Sequence, residues 1–398
     1  MKFKVAHNVF QNAVLKGGTG ALLLDSADPE AIRKNPVLRC VKITAAKNGL
    51  TVESSVPTIN SKHTIPSDKV EISEEGATCL DIQELLSELK SLMFPHNLVF
   101  ETIDAEQVGK PEKLWVEAFN QKGRHAFGWT YDTVDADGFP NAKYSTGKAS
   151  LKIKGANLRK GIQSVSFAIN QDEYSEMFNN IAICNSPKGV FVAGTDNRRG
   201  ALAKLIVADT QWKGTEKLLV EAKLLQTILS VIEDDEVVEF IEDDDKEHLT
   251  IATDSVMARV SMPPSNTRSK FPDVVNVLSL PLGVQVAIED KKEFLQAMAT
   301  ATKRQNTAHF LVEPGKEEIQ VKYSPTHKPA IIGCGKIANG LNADSITLST
   351  HFLLDLAKRI EGDQMSLSFT PDEMRAIVRD ADDPNLFYVM QRIKPMTV

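Results

Sequence analysis

The sequence has no long apolar run and no closely spaced cysteines, and both absences narrow the class of protein. No stretch approaches the roughly 20 apolar residues that span a bilayer, and Met1–Lys4 begins with alternation instead of the apolar core of a signal peptide. The cysteines, none in a CxxC pair, are Cys40, Cys79, Cys184 and Cys334. Their spacing disfavours a disulfide framework or a zinc site, so we expect buried free thiols in a cytoplasmic protein.

Motifs typical of catalysis are absent as well. The eight histidines form no HxH or HxxH pair, and no GxGxxG, P-loop or GxSxG phrase occurs. A metal-dependent hydrolase is one alternative, and its candidate residues are Asp132, Asp135, Asp137 and His125. A polar turn before Phe139 explains this cluster more economically, since no nucleophile and base occur together. The sequence thus predicts a non-enzymatic protein that needs no cofactor and has no metal site.

What the chain does contain is a phrase repeated three times, a short alternating strand that runs directly into an amphipathic helix. Its copies are Phe3–Val14, Leu151–Ile162 and Val286–Met298. A second strand-to-helix phrase follows in each repeat, at Cys79–Leu89, Leu219–Leu229 and Thr347–Ala357. Repeats this widely spaced are long enough to close their own cores, so we predict three copies of one domain, at residues 1–145, 146–279 and 280–398.

Each predicted domain has two helices and several strands. The helices are expected at residues 8–17, 81–92, 155–166, 221–232, 291–304 and 350–360. Asp81, Glu221 and Ser349 stand where a polar side chain caps or favours a helix N-terminus. Short period-two runs between the helices, such as Val37–Ile43 and Ile319–Tyr323, predict half-buried antiparallel strands. The fold class is therefore α+β, with the helices on one face of the sheets.

Charge is distributed unevenly around a net value of −7. The stretch Glu233–Glu247 contains ten acids and one lysine, so the rest of the chain is slightly basic. A divalent-metal site is one interpretation of this stretch. The acids alternate with Val237, Val238 and Phe240, however, which indicates a strand with a solvated face between acidic turns.

The predicted helices show the opposite bias. Helix 155–166 places Leu158, Ile162 and Val165 on one face and has no acid. Five of the six helices have a basic or neutral polar face, and helix 81–92 is the exception. Such faces in an acidic protein indicate a surface that contacts a polyanion. The candidate contact residues are Lys16, Lys90, Arg159, Lys160, Lys223, Lys292, Lys303, Arg304, Lys358 and Arg359.

Six short segments share their order and spacing with one known family. They are Asp137–Asn141, Ser164–Ile183, Val192–Arg199, Lys270–Leu278, Arg379–Asp382 and Tyr388–Met390. The third is similar to the family's "ATDGHRL" turn. Through these segments the chain resembles the bacterial DNA polymerase III β subunits, the sliding clamps, as a divergent member over essentially its whole length.

The resemblance implies the DNA clamp fold, in which two subunits join head to tail as a homodimeric ring around double-stranded DNA. A basic lining holds the duplex without reading its sequence, which agrees with the absence of base-reading motifs. The ring is expected to tether a DNA polymerase as a processivity factor and to bind polymerase and clamp-loader subunits through short apolar peptides. One alternative is a clamp-like regulator that has lost polymerase binding.

The resemblance also implies which residues form the peptide cleft. The matching positions are Phe178, Thr195, Arg198, Arg199, Pro272, Val277, Val389 and Met390. Asn197 stands where the family has glycine, and Gly200 stands where it has leucine. Together with Arg392, the two arginines of the cleft predict a basic rim that favours acidic residues beside the apolar anchors of a peptide.

The dimer interface is the last expectation from the resemblance. Phe127 matches the aromatic residue that the first domain contributes in the family. The apolar pair expected on the facing helix of domain 3 aligns with Lys303 and Arg304, which are equally candidates for DNA contact. A homodimer is still expected, because unpaired strand edges at the two ends of a subunit need a partner.

Overall fold

The computed structural model consists mainly of antiparallel strands with helices between them. It describes residues 1–24, 29–92, 96–103, 112–169, 177–212, 217–323, 328–383 and 385–393, without the side chains of 29–31 and 277–279. The predicted α+β class is confirmed, because every strand pairing in this part of the chain is antiparallel and helices connect the strands. No helix within these ranges is both long and apolar enough to cross a membrane.

The described helices and strands have the following bounds. The α-helices are α1 His7–Gly17, α2 Thr19–Leu23, α3 Pro29–Lys34, α4 Ile82–Ser91, α5 Gly155–Val165, α6 Ala222–Ser230, α7 Ser265–Lys270, α8 Lys291–Thr302 and α9 Thr350–Arg359. Short 3-10 helices are Pro36–Arg39, Ser166–Ala168 and Val274–Ser279. The strands are β1 Lys2–Ala6, β2 Cys40–Ala46, β3 Gly49–Val56, β4 Ile59–Pro66, β5 Val70–Glu74, β6 Gly76–Asp81, β7 Asn97–Ile103, β8 Lys113–Phe119, β9 His125–Asp132, β10 Leu151–Lys154, β11 Asn180–Ser186, β12 Gly189–Thr195, β13 Arg199–Lys204, β14 Val207–Thr210, β15 Lys217–Glu221, β16 Val237–Glu242, β17 His248–Ala252, β18 Val256–Ser261, β19 Val284–Ile288, β20 Thr307–Leu311, β21 Glu318–Lys322, β22 Ala330–Gly333, β23 Ile346–Ser349, β24 Met365–Phe369, β25 Arg375–Asp380 and β26 Leu386–Gln391.

All six predicted helices are confirmed as α1, α4, α5, α6, α8 and α9. Asp81 caps α4 by accepting bonds from the N–H groups of Gln83 and Glu84 at 2.9 and 3.3 Å. Ser349 caps α9 by accepting one from Phe352 at 3.3 Å. Helices α2, α3 and α7 were not predicted, because five or six residues are too few to show an amphipathic period.

One predicted strand begins later than expected. Val37–Ile43 was expected to be extended, but Pro36–Arg39 forms a 3-10 helix and the strand β2 starts at Cys40. Pro36 has a fixed φ and no backbone N–H, which suits the first position of a helical turn and not a ladder. The expected strand Ile319–Tyr323 is confirmed as β21, which spans Glu318–Lys322.

By their internal contacts the residues group into two compact units. The first comprises Met1–Asn157, Val207–Trp212 and Lys223–Met262, and the second comprises Leu158–Ile206, Lys213–Ala222 and Pro263–Val398. Both contain sheets that continue across the predicted domain boundaries. In the first unit β4 pairs with β18, and in the second β13 pairs with β26. The division into three domains stays a prediction.

The first unit contains two sheets and a large aromatic core. Its sheets have the strand orders β5-β1-β7-β8-β9 and β14-β10-β16-β17-β18-β4-β3-β2-β6. Phe3, Phe10 and Phe100 are fully buried, and the ring centre of Phe100 lies 4.7 Å from that of Phe3 and 4.6 Å from that of Phe10. Aromatic rings at these distances stabilise the fold by more than the burial of their area alone, so α1 is firmly held on β1 and β7.

The second unit also contains two sheets, in the orders β15-β11-β12-β13-β26-β25-β24-β19 and β22-β21-β20-β23. On one face of the larger sheet, Phe191, Leu202 and Leu219 pack against Phe271 and Val274 of the segment after α7. This cluster places that segment beside the turn between β12 and β13. All four cysteines of the chain are free and buried, as predicted, and burial raises the pKa of Cys184 to about 12.

Candidate functional site

A tight turn between β12 and β13 forms one side of the candidate cleft. Thr195 Oγ1 donates a hydrogen bond to the carbonyl of Arg199 at 2.7 Å and accepts one from the N–H of Asn197 at 3.1 Å. Asp196 Oδ1 accepts bonds from the N–H groups of Arg198 and Arg199 at 2.9 and 2.8 Å. Asn197 has a φ of 72°, a left-handed conformation that asparagine tolerates better than most residues. The turn therefore does not require the glycine that the family resemblance led us to expect.

The C-terminal strand β26 forms the opposite side by pairing with β13. Gly200 lies opposite Val389 in antiparallel register. One residue beyond Met390, Gln391 donates from its backbone N–H to Arg198 O at 2.9 Å and from Nε2 to Asn197 O at 2.8 Å. These bonds join residues almost two hundred positions apart, so the C-terminal strand and the turn are fixed relative to each other.

Between these elements and the segment after α7 lies a cavity of about 250 Å³. Six of the eight predicted cleft residues line it, namely Thr195, Arg198, Arg199, Pro272, Val389 and Met390. A methyl group on Gly200 would lie 3.2 Å from Val389 Cγ1 and 3.6 Å from Val274 Cγ1, so these two valines pack close to the glycine. The cavity persists although glycine replaces the expected leucine.

Arg199 lines the cavity but is not the rim cation that the sequence predicted. Its side chain is only 14% exposed, and its Nε and Nη1 contact the carboxylates of Asp196 at 3.1 Å and Asp355 at 3.2 Å. Its guanidinium carbon lies 4.4 Å from the ring centre of Phe352 on α9. Two carboxylates already neutralise Arg199, which corrects the predicted rim. Arg198 is exposed at the edge of the cavity and keeps the predicted position.

Two predicted cleft residues are not seen in the lining. Phe178 lies in the turn before β11, and β12 separates β11 from β13, so its partly buried side chain does not reach the cavity. The side chain of Val277 lies outside the described residues. Val274 and Arg375 also line the cavity but were not predicted. The apolar pair Val274–Val275 could have pointed to Val274, whereas Arg375 reaches the cavity only because β25 pairs with β26.

The predicted polyanion-contacting residues differ in exposure. The exposed ones are Lys90, Lys160, Lys223, Lys292, Lys303, Arg304, Lys358 and Arg359. Arg159 is partly buried. Arg359 also stacks on Phe167, with its guanidinium carbon 4.3 Å from the ring centre. These residues stay a prediction as DNA contacts, since exposure is necessary for phosphate binding but does not demonstrate it.

Lys16 does not belong in this set. It is 4% exposed, its Nζ donates a hydrogen bond to Ser255 Oγ at 3.0 Å, and it lies 4.0 Å from Glu236 Oε2. Glu236 also accepts bonds from Thr253 at 3.0 Å and from Ser255. Helix α1 turns Lys16 inward onto the turn before β18, so the ammonium group is not available to a phosphate. Its role is to neutralise the partly buried carboxylate of Glu236.

His63 lies beside this buried network and makes the stability of the first unit depend on pH. Its Nδ1 is hydrogen-bonded to the carbonyl of Ser255. Burial lowers the pKa of His63; the bond to Ser255 raises it and the charge of Lys16 lowers it further, and the net shift is downward. The folded state therefore disfavours the charged imidazole. Stability is fully present above the ordinary pKa of about 6.5 and falls as the pH drops below it.

We expect His63→Gln to flatten this acid dependence. The melting temperature of the wild type should fall more steeply between neutral and mildly acidic pH than that of the variant, measured by thermal unfolding across the range. His125→Gln is the control, because His125 is an exposed histidine 3.7 Å from Glu117 and its loss should not flatten the curve. Parallel curves for the wild type and His63→Gln would contradict the assignment.

The acidic residues that were considered for a divalent-metal site or for a metal-dependent hydrolase contact neighbouring residues of the fold. The stretch predicted as a strand with acidic turns is confirmed as β16 and its flanking turns. Asp243, Asp245 and His248 bring ligand atoms within 4.8 Å of one another, but Arg259 Nε bonds Asp243 at 2.7 Å. Of the hydrolase candidates, Asp132 lies 3.6 Å from Lys113 Nζ, Asp135 accepts a bond from the N–H of Asp137, and His125 lies near Glu117. The side chains of Asp132, Asp135 and His125 thus each contact a different partner.

Phe127 lies on β9, the edge strand of the five-stranded sheet. Its ring is 42% exposed and stacks on Trp129 with 5.6 Å between ring centres. Lys303 and Arg304 directly follow α8 and are exposed. In the second unit, the edge strand β22 carries Ile331, which is 54% exposed and which the sequence analysis missed.

Comparison with known proteins gives one consistent result. No model of a known protein family matches the chain. The β sliding clamp of Bacillus subtilis is 21% identical over 386 residues, covering 91% of this chain and 92% of the clamp. The crystal structure of a DNA polymerase sliding clamp from the same organism superimposes with a TM-score of 0.78 at 18% identity, covering 99% of both chains. The crystal structure of the DNA polymerase III β subunit from Pseudomonas aeruginosa superimposes with a TM-score of 0.76 at 18% identity, covering 99% of this chain and 100% of the other.

These relatives are named as sliding clamps or as the β subunit of DNA polymerase III, which agrees with the prediction of a non-enzymatic protein. Identities near 20% are low, as expected for a divergent chain, yet the match runs from one end to the other. The resemblance inferred from the sequence is confirmed, and the chain has the DNA clamp fold of the β sliding clamps.

Proposed function

We propose that this protein is a DNA sliding clamp, a homodimeric ring that encircles double-stranded DNA in the cytoplasm and tethers a DNA polymerase as a processivity factor. The observation that carries the proposal is the match of 99% of the chain to clamp structures. The physical demands of a clamp are modest. It needs a closed ring, sequence-independent contacts to phosphates and a docking site for partners.

The exposed basic residues on the helices support the second demand, the contacts to phosphates. Lys160 on α5 and Lys223 on α6 are exposed on helices that carry no acid. Contacts of this kind add affinity for any duplex sequence and weaken with salt, because binding releases the counterions condensed on DNA. Weak, uniform contacts allow the protein to slide.

The cavity between β13, β26 and the segment after α7 supports the docking site. Its apolar lining comes from Pro272, Val274, Leu280, Val389 and Met390, and Arg198 lies at its edge. A small apolar pocket bordered by a few polar groups is suited to anchor one or two large side chains of a peptide. We assign polymerase and clamp-loader subunits as the partners. The retained cavity favours a working clamp over a regulator that has lost polymerase binding.

The two exposed edge strands support the ring. Strands β9 and β22 each have a neighbouring strand on one side only, and they carry the exposed side chains of Phe127 and Ile331. An exposed apolar edge strand in a monomer promotes aggregation, so such an edge is normally paired or covered. We assign β9 of one subunit and β22 of the next to each head-to-tail joint.

Retention on circular DNA tests the proposal. The wild type, loaded onto nicked circular DNA, should co-elute with it in gel filtration and be released when the circle is linearised. Replacing Arg159 and Lys160 together by alanine should shorten retention and lower the dependence of binding on salt by about two counterions, whatever the sequence of the DNA.

The matched control is Lys47→Ala with Lys69→Ala, which removes two exposed lysines from turns of the first unit. It should leave retention and the salt slope unchanged. An unchanged slope for the helix variant would place Arg159 and Lys160 away from DNA. Equal retention on circular and linear DNA would overturn the ring itself.

A further inference from the structure

A second and larger cavity lies next to the candidate cleft. Its volume is about 560 Å³, within the range of about 300–1,000 Å³ typical of ligand sites, whereas the cleft itself is smaller. One wall is the hairpin between β11 and β12 at Cys184–Lys188, and the other is the segment Ser269–Asn276. Lys217, at the start of β15, completes the lining.

The two cavities lie on opposite sides of one short wall. Pro272, Asp273, Val274 and Asn276 line both of them. Lys217 Nζ donates a bond to Phe271 O at 3.2 Å, directly before the wall, and within the wall the N–H of Asn276 donates to Asp273 Oδ1 at 3.2 Å. A peptide anchored in the cleft would have to cross this wall to reach the second cavity.

The chemistry of the second cavity differs from that of the cleft. Cys184, Phe271 and Val274 are buried apolar residues that line it, which suits a large apolar side chain. Lys188 and Lys217 also line it, and Asp273 is the acid among its lining residues. An ammonium group has three N–H donors, so Lys217 can bind a carboxylate without releasing Phe271 O. The cavity thus favours an apolar residue beside an acidic one.

We propose that the peptide which binds the cleft continues over the Pro272–Asn276 wall and inserts a second apolar anchor into this cavity, with an adjacent Asp or Glu bound by Lys217. This rests on the proposed function, because it takes the cleft as the site of partner peptides. The inference adds to the proposed function a specificity determinant that lies outside the cleft. Partners that carry the second anchor and its acid bind in preference to those that carry the first anchor alone.

The test compares labelled synthetic peptides by fluorescence anisotropy. The short peptide contains a Gln followed by three large apolar residues. The long peptides extend the short one by a flexible spacer followed by an Asp-Leu or Asp-Phe pair. One series carries this extension at the N-terminus and the other at the C-terminus, and the spacer length varies within each series. We expect one long series to bind at least about tenfold more tightly than the short peptide at low salt, with part of that gain lost at high salt.

Three variants assign the gain to the cavity. Ser269→Trp fills the side of the cavity away from the cleft and should remove the gain while leaving the short peptide unaffected, since Ser269 lines only the second cavity. Lys217→Glu should lower the affinity of the acidic long peptide and raise that of a long peptide with Lys in place of Asp. Lys316→Gln, which removes an exposed lysine elsewhere in the second unit, is the control. Thermal unfolding confirms that each variant is folded.

The possible outcomes separate this inference from the proposed function. If the short peptide binds and no long peptide binds more tightly, the second anchor is overturned and the cleft stands. A gain that survives both Ser269→Trp and Lys217→Glu would also overturn it. If neither short nor long peptides bind, the peptide-binding function and the inference fall together.

Discussion

Val389→Asp should weaken the binding of a partner peptide about 100-fold, which is roughly 3 kcal/mol. Val389 lines the cleft from β26, opposite Gly200, and is only partly buried. A carboxylate there remains solvated in the free protein, so the fold should tolerate it. A docked apolar side chain would bury the charge without a partner, and that desolvation cost opposes binding. Calorimetric titration of the short peptide measures the loss.

The matched control is Ile331→Asp, which places the same charge on an exposed aliphatic position of β22 in the same unit. It should bind the peptide as the wild type does. Unchanged peptide affinity in Val389→Asp, with binding to the wild type intact, would place the peptide site elsewhere on the protein. A loss in both variants would point to a general effect of the added charge.

The regular architecture could be predicted from the sequence because it depends on local signals. The spacing of apolar residues and the caps at Asp81 and Ser349 determine where the long helices begin, and the structure agrees. The same signals are missing from short helices such as Ser265–Lys270. They also do not reveal how strands pair, so neither the continuity of the sheets across the predicted boundaries nor the exposed edges could be derived.

The misplaced site residues share one physical cause. Lys16 was predicted as an accessible cation from its helix and Arg199 through the family resemblance, but the partners of both lie far away in sequence. Lys16 meets Glu236, and Arg199 meets Asp355. The local sequence pattern does not show that a cation is buried beside a carboxylate that is distant in the sequence. Thr195, Pro272 and Met390, which line one cavity, could be grouped only through the family resemblance, since no period or spacing links them.

The largest effect on assembly should come from the two edge strands. The wild type should sediment as a dimer at micromolar concentration, and both Phe127→Asp and Ile331→Asp should sediment as monomers. Each change places a carboxylate where the proposed joint buries an apolar side chain between paired backbones, and a central charge without a partner weakens an interface by about 100-fold or more. A wild-type monomer at this concentration would contradict the proposed ring. Val389→Asp, which is not at either edge, is the control and should remain a dimer.

Mixing the two edge variants distinguishes a head-to-tail joint from the alternatives. In a head-to-tail arrangement, the intact β9 of Ile331→Asp meets the intact β22 of Phe127→Asp, so the mixture regains one normal joint. An equimolar mixture should therefore form a heterodimer with one closed and one open joint, although each variant alone is a monomer. Such a half-closed dimer should not be retained on circular DNA. If β9 instead paired with β9 of the partner, Ile331→Asp alone would remain a dimer and mixing would restore nothing, because every possible pair with Phe127→Asp would still contain the damaged strand.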